Sequence, residues 1–156
     1  MDSAVTIPAF MPTLRQLIRC TQAFERFSSA HVKTMGLTES QFDVVATLGN
    51  TQGMTCKELG ERTLITKGTL TGVLDRMAAR DLVSRKADAD DARRTHIALT
   101  RKGTLLFDDA FPAHMRHLQR AFERIPAAQL ITMHNHLNEL RLAFEETARC
   151  RNRRLI

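Results

Sequence analysis

The sequence predicts a mainly α-helical protein that carries one small β-hairpin in its middle. Three observations lead to this fold class. Apolar residues recur at helical spacing along most of the 156 residues, the period changes to two in a short segment after Asp81, and three Thr-x-x-Gln or Thr-x-x-Glu pairs have capping-box spacing. A chain of this length can bury one good hydrophobic core, so we expect a compact module with helical extensions.

The N-terminal part, residues 1–36, is predicted to be an arm followed by one long dimerisation helix. The arm carries two prolines and no clear periodicity. Thr13, three residues before Gln16, is the predicted N-cap, and the helix ends near Gly36. The stripe at helical spacing comprises Leu14, Leu17, Ile18, Thr21, Phe24, Ser28, His31 and Met35.

Residues 37–100 are predicted to be a module of three short helices and a hairpin. Thr38 and Thr55 begin the capping boxes of the first two helices. After a break, Thr66 is the predicted cap of the third helix. Its buried face comprises Leu70, Val73, Leu74, Met77 and Ala78. Two short helices, a tight turn and an amphipathic helix form a helix-turn-helix arrangement.

The hairpin follows the third of these helices. Val83 in the first segment, and Ile97 and Leu99 in the second, alternate with polar or small residues, so two short strands are expected. Residues 88–94 between them are polar or small, which is typical of a solvent-exposed loop. A helix-turn-helix with such a hairpin is a winged helix-turn-helix, and the hairpin is its wing.

Residues 101–156 are predicted to form two further helices and a basic tail. The first helix opens at Thr100 and contains Pro112, which should kink it. Pro126 suits the first turn of the second helix, which keeps near-heptad apolar spacing to Cys150. Because the flanking stripes lie outside the central module, we expect the N- and C-terminal helices to pair across the two-fold axis of a homodimer.

The charge distribution indicates a polyanionic partner. The net charge is +6, and the segment from Arg62 to Lys102 holds ten Lys or Arg against five Asp. Most of the excess positive charge therefore lies on the central module. The sequence has neither an apolar run of membrane-spanning length nor a signal peptide, so we expect a cytoplasmic protein.

Candidate DNA-binding residues lie on the third helix of the module and on the hairpin. Small and polar side chains let a helix N-terminus approach a duplex, where its amides favour phosphate. Basic side chains at a hairpin tip suit a narrow minor groove. The candidates are Thr66, Lys67, Thr69, Thr71, Arg76, Arg85, Lys86, Arg93 and Arg94. Asp91 is expected to orient Arg93.

Other interpretations of these residues stay open at this stage. The helix face and the hairpin loop could be merely solvated surfaces. The module could instead serve protein contacts, as an antirepressor or assembly subunit without an operator of its own. The sequence contains no glycine-rich phosphate loop, no nucleophile elbow and no HExxH motif, so we expect no enzyme activity and no cofactor.

The central segment resembles the MarR family of bacterial and archaeal transcriptional regulators. The resemblance covers residues 37–103, through LTESQFDVVATL, GTLTGVLDRM, RDLVSRK and a wing signature of Asp91, Arg93, the following IALT and Gly103. It implies a dimer whose recognition helix reads the major groove of an inverted repeat, through Thr66, Lys67, Thr69 and Thr71, while the wing contacts the minor groove.

The same resemblance implies a repressor of nearby genes that a small phenolic or lipophilic ligand releases from DNA. The ligand would enter a crevice between the dimerisation and DNA-binding parts. Helix position and this crevice point to Phe27, His31, Phe42 and Met54 as candidate ligand-binding residues.

Thiol and metal sensing are weaker hypotheses for this chain. The peroxide-sensing branch of the family pairs its thiol with tyrosines, but this sequence has no Tyr, and Leu14 rather than Cys20 falls at the thiol position. We therefore expect Cys20 and Cys56 to be small core residues. His114 and His117 lie three residues apart without a carboxylate or thiol cluster, so we expect satisfied or surface histidines and no metal.

Overall fold

The computed structural model describes residues 7–63, 65–87 and 95–153, except for the side chains of residues 67 and 151–153. The chain forms two compact units, Met1–Arg116 and His117–Ile156. In chain order the elements are α1 (Met11–Thr34), α2 (Glu39–Leu48), β1 (Met54–Thr55), α3 (Cys56–Arg62), α4 (Lys67–Ala79), β2 (Val83–Ala87), β3 (Thr95–Leu99), α5 (Arg101–Phe122) and α6 (Ala127–Arg153).

Helix α1 begins earlier than the sequence predicts. Its N-cap is Phe10, whose side chain makes no capping hydrogen bond, and the helix already includes Thr13. Pro12 explains the early start, because a proline in the first turn loses no helical hydrogen bond and already has helical φ. The predicted cap at Thr13 is therefore wrong. The helix is followed by Gly36 in the left-handed region, with φ 69°.

Both central capping boxes are confirmed. At the start of α2, the backbone N–H of Gln41 donates to the Thr38 hydroxyl at 3.3 Å, and the Gln41 side chain accepts from the Thr38 N–H at 3.0 Å. At the start of α3, Thr55 and Glu58 make the same reciprocal pair. Each box satisfies two N–H groups that have no partner within the helix.

The core of the first unit lies under α4. Leu70, Val73, Leu74 and Met77 are at most 2% exposed, which confirms four of the five predicted buried positions. Ala78 is exposed, so that assignment is wrong, since the helix turns this position away from the core. The buried cluster joins these residues to the following side chains from α2, α3, the turn before β2, the sheet and α5: Val44, Val45, Leu48, Met54, Leu59, Leu82, Val83, Ile97 and Phe107.

The hairpin is confirmed, but the sheet has a third strand. Strands β2 and β3 pair antiparallel from Val83 with Leu99 to Ala87 with Thr95. The two-residue strand β1 adds to the other edge of β3, with Met54 opposite Ile97. Gly53 permits this approach, because its φ is 95° and a Cβ there would lie 2.5 Å from the Ile97 carbonyl oxygen.

Helix α5 continues through Pro112, and the expected kink at that residue stays a prediction. In the second unit, α6 exposes large apolar side chains, among them Ile131, Met133, Leu137, Leu142 and Phe144. Within the part of the chain that the structure describes, no helix combines the length and the apolar character that crossing a membrane requires.

Candidate nucleic-acid interface

The exposed face of α4 lies opposite its core-packed face. The exposed face includes Gly68, Thr69 and Thr71. The core-packed face includes Leu70 and Val73, which are at most 2% exposed. The apolar side therefore fixes the helix on the module, and small polar side chains remain available to a partner. A helix of this composition can approach a nucleic-acid backbone closely.

The N-terminus of α4 has an arrangement that the sequence did not predict. Thr66 is the N-cap residue, but its side chain makes no capping hydrogen bond. Its hydroxyl instead lies 3.0 Å from the Thr69 hydroxyl. Two exposed hydroxyls thus stand side by side at the positive end of the helix dipole. Such a helix end favours phosphate, and hydroxyls can donate to it.

The predicted cations divide by their surroundings. Arg76, Arg85 and Lys86 are all exposed. Of these three, Arg85 forms an ion pair with Asp75 of α4 at 2.7 Å. Lys67 lies at the first position of α4, and its side chain is outside the described part of the chain. Among the candidate cations whose side chains the structure describes, Arg85 is therefore the one compensated by a neighbouring carboxylate.

Two further basic residues of the segment from Arg62 to Lys102 make internal contacts. Arg80, at the end of α4, donates to the Gly36 carbonyl oxygen at 3.2 Å and to the Gln41 side chain at 3.5 Å. Lys102 donates to the carbonyl oxygen of Arg80 at 2.8 Å. These contacts tie the end of α4 to the α1–α2 turn and to the start of α5.

The predicted wing-tip residues Asp91, Arg93 and Arg94 lie outside the described residues, and their roles stay predictions. The last described pair of the hairpin on the side of the tip is Ala87 with Thr95.

A buried polar cluster lies in the same unit, centred on His114 of α5. His114 is 2% exposed. Its Nδ1 lies 3.1 Å from Nδ1 of His31, and its Nε2 lies 3.3 Å from the hydroxyl oxygen of Ser28. The ring meets Phe42 of α2 edge-on, with centroids 4.6 Å apart. A hydrogen bond between two imidazoles needs one donor and one acceptor, so one of the paired Nδ1 atoms carries no proton.

Two of the four predicted ligand residues contact His114, and the ligand-binding role of all four stays a prediction. His31 and Phe42 both contact His114. Phe27 is half-buried and lies one turn before His31 on α1. Met54 is 5% exposed and belongs to the hydrophobic core.

Sequence reasoning did not assign Ser28 and His114 to this cluster. Ser28 stood in the stripe of the first helix, where a polar residue at a position predicted to be buried was the available signal. The sequence relates His114 only to His117, three residues on. Between residues 7 and 153, apart from residues 64 and 88–94, no group of three or more His, Cys, Asp or Glu could hold a metal ion.

The cysteines differ from expectation in one case. Cys56 is half-buried against the core, as predicted. Cys20 is exposed, so its prediction as a core residue is wrong, because it lies on a face of α1 that the first unit leaves uncovered.

Comparison with known proteins identifies the family. Residues 37–95 match the model of the MarR family. The chain is 30% identical over 98 residues to the transcriptional regulator MhqR of Bacillus subtilis, covering 63% of this chain and 68% of that protein. It is 31% identical over 111 residues to the homoprotocatechuate degradative operon repressor of Escherichia coli, covering 71% and 72%. The chain belongs to the MarR family.

A solved MarR structure shows the same fold. A mutant of E. coli MarR, complexed with operator DNA, superposes with a TM-score of 0.76 at 21% identity, over 86% of this chain and 99% of that one. Family membership confirms the predicted winged helix-turn-helix and the predicted class of function. This MarR-family chain is a DNA-binding transcriptional regulator.

Proposed function

We propose that this regulator is a homodimeric repressor that holds an inverted-repeat operator and leaves it when a small phenolic acid binds. The observation that carries the proposal is the two-sided α4. Leu70, Val73, Leu74 and Met77 are packed into the core, whereas Thr66, Gly68, Thr69 and Thr71 are exposed at its N-terminal end. This end is the part of a recognition helix that contacts base edges.

Binding to DNA is tested by titrating a labelled duplex from the chain's own upstream region at two salt concentrations. Because each neutralised phosphate releases counterions, affinity should fall about a thousand-fold between about 50 and 200 mM salt if about six phosphates are contacted. Salt-insensitive binding, or no duplex binding at any fragment, would instead support a protein-contact module or antirepressor.

Individual reading residues are tested by substitution. Arg93→Ala and Arg94→Ala should weaken binding to all duplexes alike, since minor-groove and phosphate contacts carry little sequence information. Lys67→Ala and Thr71→Ala should change which base pairs are preferred, at about 1–3 kcal/mol for each lost base contact. Unchanged binding and preference in all four variants would contradict the assignment.

Dimerisation is supported by the apolar surface of α6. Leu137 is 56% exposed and Phe144 is 55% exposed. Because large exposed apolar patches are uncommon on monomeric proteins, this surface favours a partner helix. A two-fold axis would also set two recognition helices about 34 Å apart, one turn of B-DNA. In sedimentation we expect a dimer that Leu137→Glu dissociates and that the matched change Asn135→Glu, at an exposed polar position on α6, leaves intact.

The effector site is proposed at the cluster of Ser28, His31, Phe42 and His114. Aromatic edges with convergent polar groups suit an aromatic ring that carries an acid or hydroxyl substituent. The E. coli relative is a repressor of a homoprotocatechuate degradative operon, and homoprotocatechuate is a phenolic acid. No catalytic step and no metal enter the proposal.

The effector proposal is tested by titrating a panel of phenolic acids into the protein–operator complex. His31→Gln should weaken release at least about tenfold, as expected when a charge-assisted hydrogen bond is lost, while operator affinity without effector stays the same. Met54→Leu serves as the control, because Met54 is a core residue and a volume-conserving change there should not alter release. Equal loss in both variants would refute the proposed site.

A further inference from the structure

Arg85 starts on the hairpin, but its side chain reaches the recognition helix. On β2 it lies opposite Ile97 of β3. Its Nη2 atom lies 2.7 Å from Oδ1 of Asp75 and donates to the carbonyl oxygen of Thr71 at 3.5 Å. Thr71 and Asp75 are one helical turn apart on α4. One arginine therefore joins the wing strand to the part of α4 that directly follows its exposed N-terminal turn.

The charge of this arginine is compensated within the protein. The side chain of Arg85 is 34% exposed and the side chain of Asp75 is 58% exposed. A paired cation and anion add nothing to the positive excess of the module. A cation that stays paired with a carboxylate also displaces no counterion from a phosphate, so it should not contribute to the salt dependence of DNA binding.

We propose that Arg85 is a positioning residue that fixes the recognition helix against the wing through Asp75, and not a phosphate contact. The proposal rests on the proposed function of α4 and the wing as the two DNA-reading parts. Base readout needs side chains held within a fraction of an ångström. An ion pair across the helix–strand junction keeps the two parts in one relative orientation, so its loss should reduce sequence discrimination more than general affinity.

Asp75 provides a test in which the two explanations predict changes in different quantities, one in overall affinity and the other in sequence discrimination. Removing a carboxylate from a DNA-facing helix should strengthen duplex binding if only the summed charge matters. If the pair positions α4, Asp75→Asn should instead lower discrimination between the operator and a duplex with one altered base pair. For an exposed ion pair we expect a decrease of about 3- to 5-fold.

The experiment compares Arg85→Gln, Asp75→Asn, the double variant and Lys86→Gln in operator titrations over a salt series. Lys86 is the adjacent exposed cation, so Lys86→Gln matches the charge change without touching the pair. We expect Arg85→Gln and Asp75→Asn to lose discrimination equally, with no further loss in the double variant. The salt slope of Arg85→Gln should stay at the wild-type value, whereas the loss of one phosphate contact lowers the slope by about 0.9.

Three results would overturn the proposal: a reduced salt slope with unchanged preference in Arg85→Gln, tighter binding with unchanged preference in Asp75→Asn, or additive losses in the double variant.

Hydrogen exchange of the DNA-free protein supplies a readout that does not depend on operator binding. Amides of the N-terminal half of α4 should exchange faster in both single variants than in wild type and Lys86→Gln. Unchanged exchange there would also overturn the proposal, whereas failure of the wild type to bind DNA would count against the proposed function.

Discussion

Stability and DNA reading should separate on opposite faces of α4, and Leu74→Ala with Thr71→Ala tests this directly. Leu74 is 1% exposed and lies in the hydrophobic core cluster. Thr71, three residues earlier, is exposed. The same helix thus offers a core position and a surface position. Helix propensity favours alanine at both, by about 0.5 kcal/mol at Thr71 and by less at Leu74, which is far below the cost expected for emptying a core position.

The magnitude follows from burial. Truncating a fully buried leucine removes its transfer free energy and leaves a cavity, which costs about 2–5 kcal/mol. In a protein of this length each kcal/mol corresponds to about 2–4 °C in Tm, so Leu74→Ala should lower Tm by about 4–20 °C. Thr71→Ala should change the free energy of unfolding by no more than about 0.5 kcal/mol, because an exposed side chain packs against little.

The assay combines urea unfolding with operator titration. Both variants are unfolded at one protein concentration, because the proposed dimerisation would make the apparent stability concentration-dependent. Leu74→Ala should shift the midpoint at an unchanged m-value. Below its unfolding temperature it should keep the operator preference of the wild type, whereas Thr71→Ala should alter that preference.

A Leu74→Ala protein whose free energy of unfolding falls by less than about 0.5 kcal/mol would contradict the core position of Leu74, since no well-packed core position behaves in that way. The separation of the two faces would equally be refuted if Thr71→Ala destabilised the protein by more than Leu74→Ala.

Three further predictions concern single positions around this module. A Cβ at Gly68 on α4 would meet nothing within 4 Å, so Gly68→Ala should raise the free energy of unfolding by about 0.4–1 kcal/mol in thermal unfolding. In operator titration the same variant should bind more weakly, because the added methyl obstructs close approach to the DNA. A Cβ at Gly103 would collide with the Leu82 carbonyl oxygen, so Gly103→Ala should cost about 3 kcal/mol in urea unfolding, and a neutral result would contradict this contact. Hydrogen bonds from the Thr55 backbone N–H and hydroxyl hold the pKa of Glu58 below its ordinary value of 4.5. The Glu58 carboxylate therefore stabilises the fold fully above pH 4.5, and this contribution is lost as the pH falls through the lowered pKa. Glutamine can still fill the capping box, so Glu58→Gln should change the stability at neutral pH little, and the variant should lose less stability in acid than the wild type. Identical curves of stability against pH for the two proteins would contradict the role of the carboxylate.

Local features of the fold could be predicted because they are encoded over a few residues. The capping boxes at Thr38 and Thr55 are reciprocal contacts within one turn, so their spacing alone indicates where each helix begins. The core face of α4 is likewise visible as helical periodicity. The two-residue strand β1 gave no such signal, since two residues cannot show a period, and it forms only because β3 offers an edge beside Gly53.

The sites divide in the same way. The small and polar face of α4 is a property of consecutive residues, and the family resemblance added its DNA-reading role. The polar cluster is different. His114 contacts Ser28 and His31 across 86 and 83 residues of chain, and no pattern along the sequence relates α5 to α1.

The sequence by itself therefore determined the helices, the hairpin, the buried face of α4 and the family, because periodicity, caps and motifs act over short distances. The tertiary structure alone decided that Arg85 reaches Asp75 and that Met54 is a core residue. It also decided that His31, a candidate on helix position alone, shares a hydrogen bond with His114. These contacts depend on the angles and distances at which helices and strands pack, and such quantities follow from the assembled core and not from any local pattern.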